Sequence, residues 1–265
     1  MPDRKLALER ASVWYGPKCA RVRALKGVTL SFTSGELTLV MGPSGSGKTT
    51  LLSLLGCLRS PDQGSVFVDG LDVTRLKDKE RVRLRRRIGF VFQSFRLFHS
   101  LPALENVMLS AEISGERHKR AKAARELLEK FGLGGKLELK PDALSGGEKQ
   151  KVAISRALLS DPSIVLADEP TASLDFDAGQ QIREILRRLA DEQGRTIVVV
   201  SHDPRWMQFA HRTVVLEEGE ILDDGRSSQC EKSSRACPPA VVMPSPSPSR
   251  VSLGSRAPYS LSTDP

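Results

Sequence analysis

The chain has 265 residues, 39% of them hydrophobic, 27% charged and 5% aromatic, which predicts a soluble globular protein with a sizeable core. No apolar run approaches the roughly 18 residues that a membrane-spanning helix needs, and the charged start Met1-Pro2-Asp3-Arg4-Lys5 has no apolar stretch behind it, so neither a membrane span nor a secretory leader is expected. The formal net charge of +8 leaves nucleic acid, phosphates and an acidic membrane face open as partners.

In chain order, Val28, Leu30 and Phe32 alternate with Thr29, Ser31 and Thr33, a half-buried strand that is expected to turn at Ser34-Gly35 into a second strand over 36–41, so that an antiparallel β region opens the fold. After Met41 comes Gly42-Pro43-Ser44-Gly45-Ser46-Gly47-Lys48-Thr49-Thr50, then an apolar helix from Leu51. This is the phosphate-binding G-x-x-x-x-G-K-[ST] pattern with a strand before it and a helix after it. Its glycines let successive N–H groups point at phosphate oxygens, Lys48 reaches the β- and γ-phosphates, and the Thr49 hydroxyl is a ligand for Mg2+. Ala121, Ala124, Leu128 and Phe131 mark an amphipathic helix ending near Gly132. Ser145-Gly146-Gly147 opens another helical run through Val152, Ile154 and Leu158, and it forms a second anion site on a chain whose first loop already supplies one. Two cradles on one copy point to a partner's nucleotide, and so to a dimer.

The runs 164–167 and 196–200 are continuously apolar, as strands covered on both faces are, and predict a parallel core sheet. Asp168-Glu169 follows the first run directly. Two carboxylates at a buried strand end need a cation, and Mg2+ held by Thr49 supplies it if the two strands are neighbours. Asp168 is then a metal ligand, and Glu169 is placed to polarise a water for attack on the γ-phosphate. Ile182, Ile185, Leu186 and Leu189 recur at helical spacing between the two strands. His202 follows the second strand; taken alone, such a histidine is more often structural than functional. From Arg226 the chain is rich in Ser, Pro and Arg with no apolar periodicity, so residues 226–265 are expected to be a disordered tail behind a single domain over 1–225. Arg226, Lys232, Arg235, Arg250 and Arg256 against Glu231 and Asp264 put three of the eight net charges in that tail. Cys19, Cys57, Cys230 and Cys237 lack the paired spacing of a zinc site and are expected to be idle or buried thiols.

Leu144-Ser145-Gly146-Gly147-Glu148, together with the loop at 42–49 and Asp168-Glu169, resembles the ATP-binding cassette family across residues 6 to about 225. The resemblance implies an ATPase with a phosphate-loop α/β core on a parallel sheet, an N-terminal antiparallel β subdomain and a helical subdomain carrying the signature sequence. It implies that Tyr15 stacks on adenine, Gln93 touches Mg2+ and senses a membrane subunit, the Ser173-Leu174-Asp175 loop links two active sites, and His202 contacts the γ-phosphate. It further implies a head-to-tail pair of cassettes in which each ATP lies between one chain's 42–49 loop and the other chain's Ser145, Gly146 and Gly147. Glu148 departs from the family's usual Gln, which puts any ribose contact there in doubt.

Leu51 to Gly56, Arg85 to Gln93 and Leu104-Glu105-Asn106-Val107 look like the branch that includes lipoprotein-release, macrolide-export and heterocyst glycolipid-export ATPases. The expected partner is therefore an integral membrane subunit on a separate chain, which holds this one at the cytoplasmic face of the inner membrane. Phe95, Leu97, Phe98, Leu101 and Leu104 either form the docking groove or belong to the core. The alternative is a soluble cassette ATPase acting on DNA or ribosomes, with Arg81–Arg87 and Arg117–Arg125 as phosphate-binding stripes. It is disfavoured because Glu116, Glu126 and Glu129 make the second run read as a solvated helix face, and no long coiled coil, zinc module or second cassette is inserted. No nucleic-acid partner is expected. A catalytically dead regulatory cassette is disfavoured by the retention of Lys48, Asp168, Glu169 and His202.

Overall fold

The strands of this chain fall into two separate sheets, one of four strands and one of six. The computed structural model describes residues 4–17, 19–114 and 117–226; the expected tail lies, beyond Arg226, outside the described residues. The first sheet joins β1 (Arg4–Tyr15), β2 (Val22–Thr33), β4 (Gln63–Val68) and β5 (Leu71–Asp72) in the order β2-β1-β4-β5, all antiparallel. The second has the order β10-β9-β3-β8-β7-β6, with β3 (Leu37–Met41), β6 (Ile88–Val91), β7 (Ile164–Asp168), β8 (Thr196–Val200), β9 (Arg212–Glu217) and β10 (Glu220–Arg226). Five of these strands run parallel, and β10 returns antiparallel to β9. The antiparallel N-terminal region and the parallel core both agree with the sequence. The hairpin expected at Ser34-Gly35 does not form: β2 pairs with β1, while β3 pairs with β8 and β9, so this turn carries the chain from one sheet to the other.

The core strands bury both faces because helices and the first sheet cover them. Val40, Ile164, Leu166, Val198 and Val200 face the first sheet and α1 (Lys48–Leu55), sharing a core with Leu6, Leu8, Phe32, Leu51 and Leu54. Their strand neighbours Leu39, Val165, Ala167, Ile197 and Val199 face the other way, onto Ile154 of α5 (Gly146–Leu158) and Ile182, Ile185, Leu186 and Leu189 of α6 (Phe176–Gln193). Adjacent residues of a strand point to opposite faces, which is why these runs are apolar without alternation.

The short helix α2 (Asp78–Arg85) precedes β6. A third cluster joins Val107, Met108 and Ala111 of α3 (Ala103–Ser114), Ala124 and Leu128 of α4 (Arg117–Lys130), and Val152 of α5, and this is the helical subdomain. Among the described residues no helix is long and apolar enough to cross a membrane.

Candidate functional site

The loop after β3 folds tightly because its glycines adopt conformations closed to other residues. Gly42 has φ +154° and Gly47 φ +104°, and a Cβ would stand 2.0 Å from the Leu216 carbonyl oxygen at Gly42 and 2.4 Å from that of Ala24 at Gly47. Gly47 also caps α1, which starts at Lys48. The buried Lys48 ammonium donates to the carbonyls of Gly42 at 2.8 Å and Pro43 at 2.7 Å. Burial pushes its pKa down, and the charges of Glu169 and Asp168 oppose that shift. The buried Ser46 hydroxyl has no hydrogen-bond partner.

The Thr49 hydroxyl donates to Asp168 Oδ2 at 3.3 Å across 119 residues of sequence. Adjacency of the two strands, the condition expected for this meeting, is not met: β8 lies between β3 and β7. The loop closes the gap by starting α1 across the strand ends. Burial pushes the Asp168 carboxyl up, a shift that the Thr49 hydroxyl opposes and the Glu169 charge reinforces.

Glu169 turns off the end of β7 with φ +45°, its amide bonded to the Val200 carbonyl at 2.9 Å. That conformation sends its side chain toward the end of β8. There the buried Ser201 hydroxyl donates to Oε2 at 2.8 Å, while Oε1 accepts the His202 amide at 3.1 Å and lies 2.7 Å from His202 Nδ1. The structure thus brings His202, ambiguous in the sequence, into direct contact with the carboxylate of the other strand end.

Tyr15, Pro43, Ser44, Gly45, Gly47, Lys48, Thr49, Thr50, Gln93, Asp168, Glu169 and His202 line one cavity of about 740 Å³, joined by Ala24. Its size is that of a small-molecule site. A cationic amine, loop glycines that exclude side chains and a row of backbone amides suit a polyphosphate. Thr49, Gln93 and Asp168 offer hard oxygen donors, the set that Mg2+ takes together with phosphate oxygens. No cluster of three or more His, Cys, Asp or Glu suited to a metal exists among the described residues, so a metal here needs the substrate's oxygens as well.

Ser145, Gly146, Gly147 and Asp175 do not line this cavity. Ser145 caps α5 by accepting the Glu148 amide at 3.3 Å, and the Glu148 carboxylate accepts the Ser145 amide at 3.0 Å. Glu148 also meets Lys136 at 2.6 Å, and that contact is the main reason its carboxyl sits below the usual range. Asp175 caps α6 by accepting the Ala178 amide at 2.8 Å. A Cβ on Gly147 would stand 2.7 Å from that of Ala178, so the small residues let α5 approach α6. Of the apolar residues after Gln93, Leu104 is buried in the helical core, whereas Phe98 is 57% exposed. Ser201 and Ala24 also stand at the site, although no sequence motif includes them. The signal for Ser201 was a hydroxyl between a buried strand and a histidine; Ala24 left none, because it contributes position rather than chemistry.

The family model described as ABC transporter matches residues 25–172. An uncharacterized ABC transporter ATP-binding protein of Thermotoga maritima is 45% identical over 221 residues, 82% of this chain and 94% of that one. The lipoprotein-releasing system ATP-binding protein LolD of Bacteroides fragilis is 43% identical, over 76% of this chain and 94% of its own. The macrolide export ATP-binding/permease protein MacB of Campylobacter jejuni is 44% identical over 78% of this chain, but that match spans only 33% of MacB. Among solved structures, a dimeric post-hydrolysis state of the ATP-binding cassette MJ0796 of Methanocaldococcus jannaschii, bound to ADP and Pi, superposes with a TM-score of 0.75 at 40% identity, covering 83% of this chain and 98% of that one.

Proposed function

The chain belongs to the ABC transporter family, and from that premise we propose that it is the ATP-hydrolysing subunit of a transporter whose membrane-spanning part is a separate chain. The observation that carries this reading is the meeting of Lys48, Thr49, Asp168, Glu169 and His202 around one cavity. The amides of residues 44–49 and the Lys48 ammonium hold the ATP phosphates, and Tyr15 stacks on the adenine. Thr49, Asp168 and Gln93 would hold Mg2+, which would offset the negative charge of the phosphates. Glu169 takes a proton from the attacking water as the water oxygen bonds the γ-phosphorus. The bond from that phosphorus to the β–γ bridging oxygen breaks, leaving ADP and phosphate. Ser201 and His202 fix the carboxylate, and His202, which lines the same cavity, would also contact the γ-phosphate.

The site closes when a second copy brings its Ser145, Gly146, Gly147 and Asp175 against the nucleotide, an arrangement supported by the dimeric state of the similar MJ0796 cassette. The likeness to LolD and MacB supports an export or lipoprotein-handling system, with residues 1–225 as the ATP-binding domain at the cytoplasmic face of the inner membrane. The exposed Phe98 and the Gln93 segment form its contact with the membrane subunit.

Glu169→Gln tests the reading. ATP binding is expected to persist, turnover to fall at least about 100-fold, and an ATP-bound dimer to accumulate on size exclusion; undiminished hydrolysis would refute the role of Glu169 as base.

A further inference from the structure

Tyr15 closes one end of the nucleotide cavity, and a second residue stands behind it. The Arg59 guanidinium, on the connection between α1 and β4, is centred 4.3 Å from the middle of the Tyr15 ring. It donates to the Trp14 carbonyl at 2.9 Å and lies 3.5 Å from the Asp62 carboxylate, which itself accepts the Trp14 amide at 2.9 Å. The Asp62 amide is bonded in turn to the Ser12 carbonyl at 2.9 Å, so the whole connection is fastened to the end of β1. Tyr15 lines the cavity and Arg59 does not, so the guanidinium covers one face of the ring and leaves the rest of the ring to line the cavity. The Tyr15 hydroxyl is 3.3 Å from that of Thr50 on α1, so the ring is held at its tip as well as its back.

We propose that Arg59 is a positioning residue for the base of the nucleotide, acting through Tyr15. The proposal rests on the reading of Tyr15 as the adenine contact. Two physical effects combine. The ring is pinned before the base arrives, so less side-chain freedom is lost on binding. A cation on one face also draws the π density of the ring toward itself, leaving the opposite face a better stacking partner for an electron-rich purine. The guanidinium is only partly exposed and its buried Nε has no hydrogen-bond partner, so the ring face takes up part of the cation that neither Trp14 nor Asp62 engages. A planar guanidinium can stack on the ring while its edge reaches Trp14 and Asp62, which an ammonium cannot do.

The test is a double-mutant cycle on the full chain. ATP affinity is measured for wild type, Arg59→Met, Tyr15→Ala and the double variant, with tripolyphosphate as a probe that lacks the base. Arg59→Met keeps the side chain's bulk and removes its charge. It is expected to weaken ATP binding and raise the ATP KM about fivefold, to leave tripolyphosphate binding unchanged, and to have no further effect once Tyr15 is Ala. Arg59→Lys is expected to fall between wild type and Arg59→Met. Wild-type ATP affinity in Arg59→Met, an undiminished penalty in the Tyr15→Ala background, or equal weakening of tripolyphosphate binding would each overturn the proposal. If Tyr15→Ala itself binds ATP like wild type, the adenine assignment of Tyr15 fails and the proposal with it. A weakened Tyr15→Ala beside an unaffected Arg59→Met removes Arg59 alone.

Discussion

Glu169 owes its place to one backbone angle and two neighbours. With φ +45° it leaves β7 in a conformation rare for a residue with a side chain, and its carboxylate is received by Ser201 and His202 at the end of β8. The Ser201 bond, 2.8 Å long, is given by a buried hydroxyl to a carboxylate oxygen of Glu169. Ser201→Ala is therefore expected to lower kcat about tenfold with little change in the ATP KM, as steady-state kinetics would register; an unchanged kcat would show that turnover does not use this bond. Gly47 is constrained differently, by a carbonyl oxygen 2.4 Å from where a Cβ would sit. Gly47→Ala is expected to cost about 1–3 kcal/mol of stability and to weaken ATP binding, to be read by urea unfolding and equilibrium binding. Residue chemistry at the loop was legible in the sequence because Gly, Lys and Thr have few other reasons to occur at that spacing. The part played by Ser201 was not, because a serine after a strand is common and only the path of Glu169 gives it a task.

Amphipathic helices were the most readable elements and bulged strands the least. Ile182, Ile185, Leu186 and Leu189 all lie buried along α6, as their spacing requires. By contrast β1 runs from Arg4 to Tyr15 yet shows no clean alternation, because a register shift between Leu8 and Ala11, with Arg10 at φ +48°, moves its apolar residues out of step. The start of α5 explains a residue that departed from the family pattern. Glu148 completes the cap with Ser145 and also pairs with Lys136. A glutamine can keep the cap but loses the ion pair, so Glu148→Gln is expected to cost about 0.5 kcal/mol at pH 7. Because the native pKa of Glu148 is lowered, this contribution is present above the ordinary carboxylate range and is lost as pH falls through the lowered value. Urea unfolding of both proteins at neutral pH and near pH 3 measures the difference; a gap that persists in acid would show that the pair is not its source.

In the whole molecule the two anion sites foreseen from the sequence stand apart. The 42–49 loop opens into the cavity, while Gly146 faces Ser173 and Leu174, Gly147 faces Ala178 of α6, and neither they nor Ser145 line it. If each nucleotide is shared, a mixture of Lys48→Ala and Ser145→Ala chains, each inactive alone, forms mixed dimers with one intact site. About a quarter of wild-type turnover should then return, since half the dimers are mixed and each has one of two sites; no recovery on mixing would count against sharing. The sequence by itself determined the loop, the paired carboxylates, the helical periodicities and the two-faced burial of the core strands, because each rests on the local spacing of a few residue types. Which sheet β3 joins, how Thr49 reaches Asp168 past an intervening strand, and which neighbours hold Glu169 and Tyr15 were decided only by the tertiary structure. Those contacts join residues from tens to more than a hundred positions apart, and strand order, which sets them, depends on how whole apolar faces are covered rather than on any local pattern.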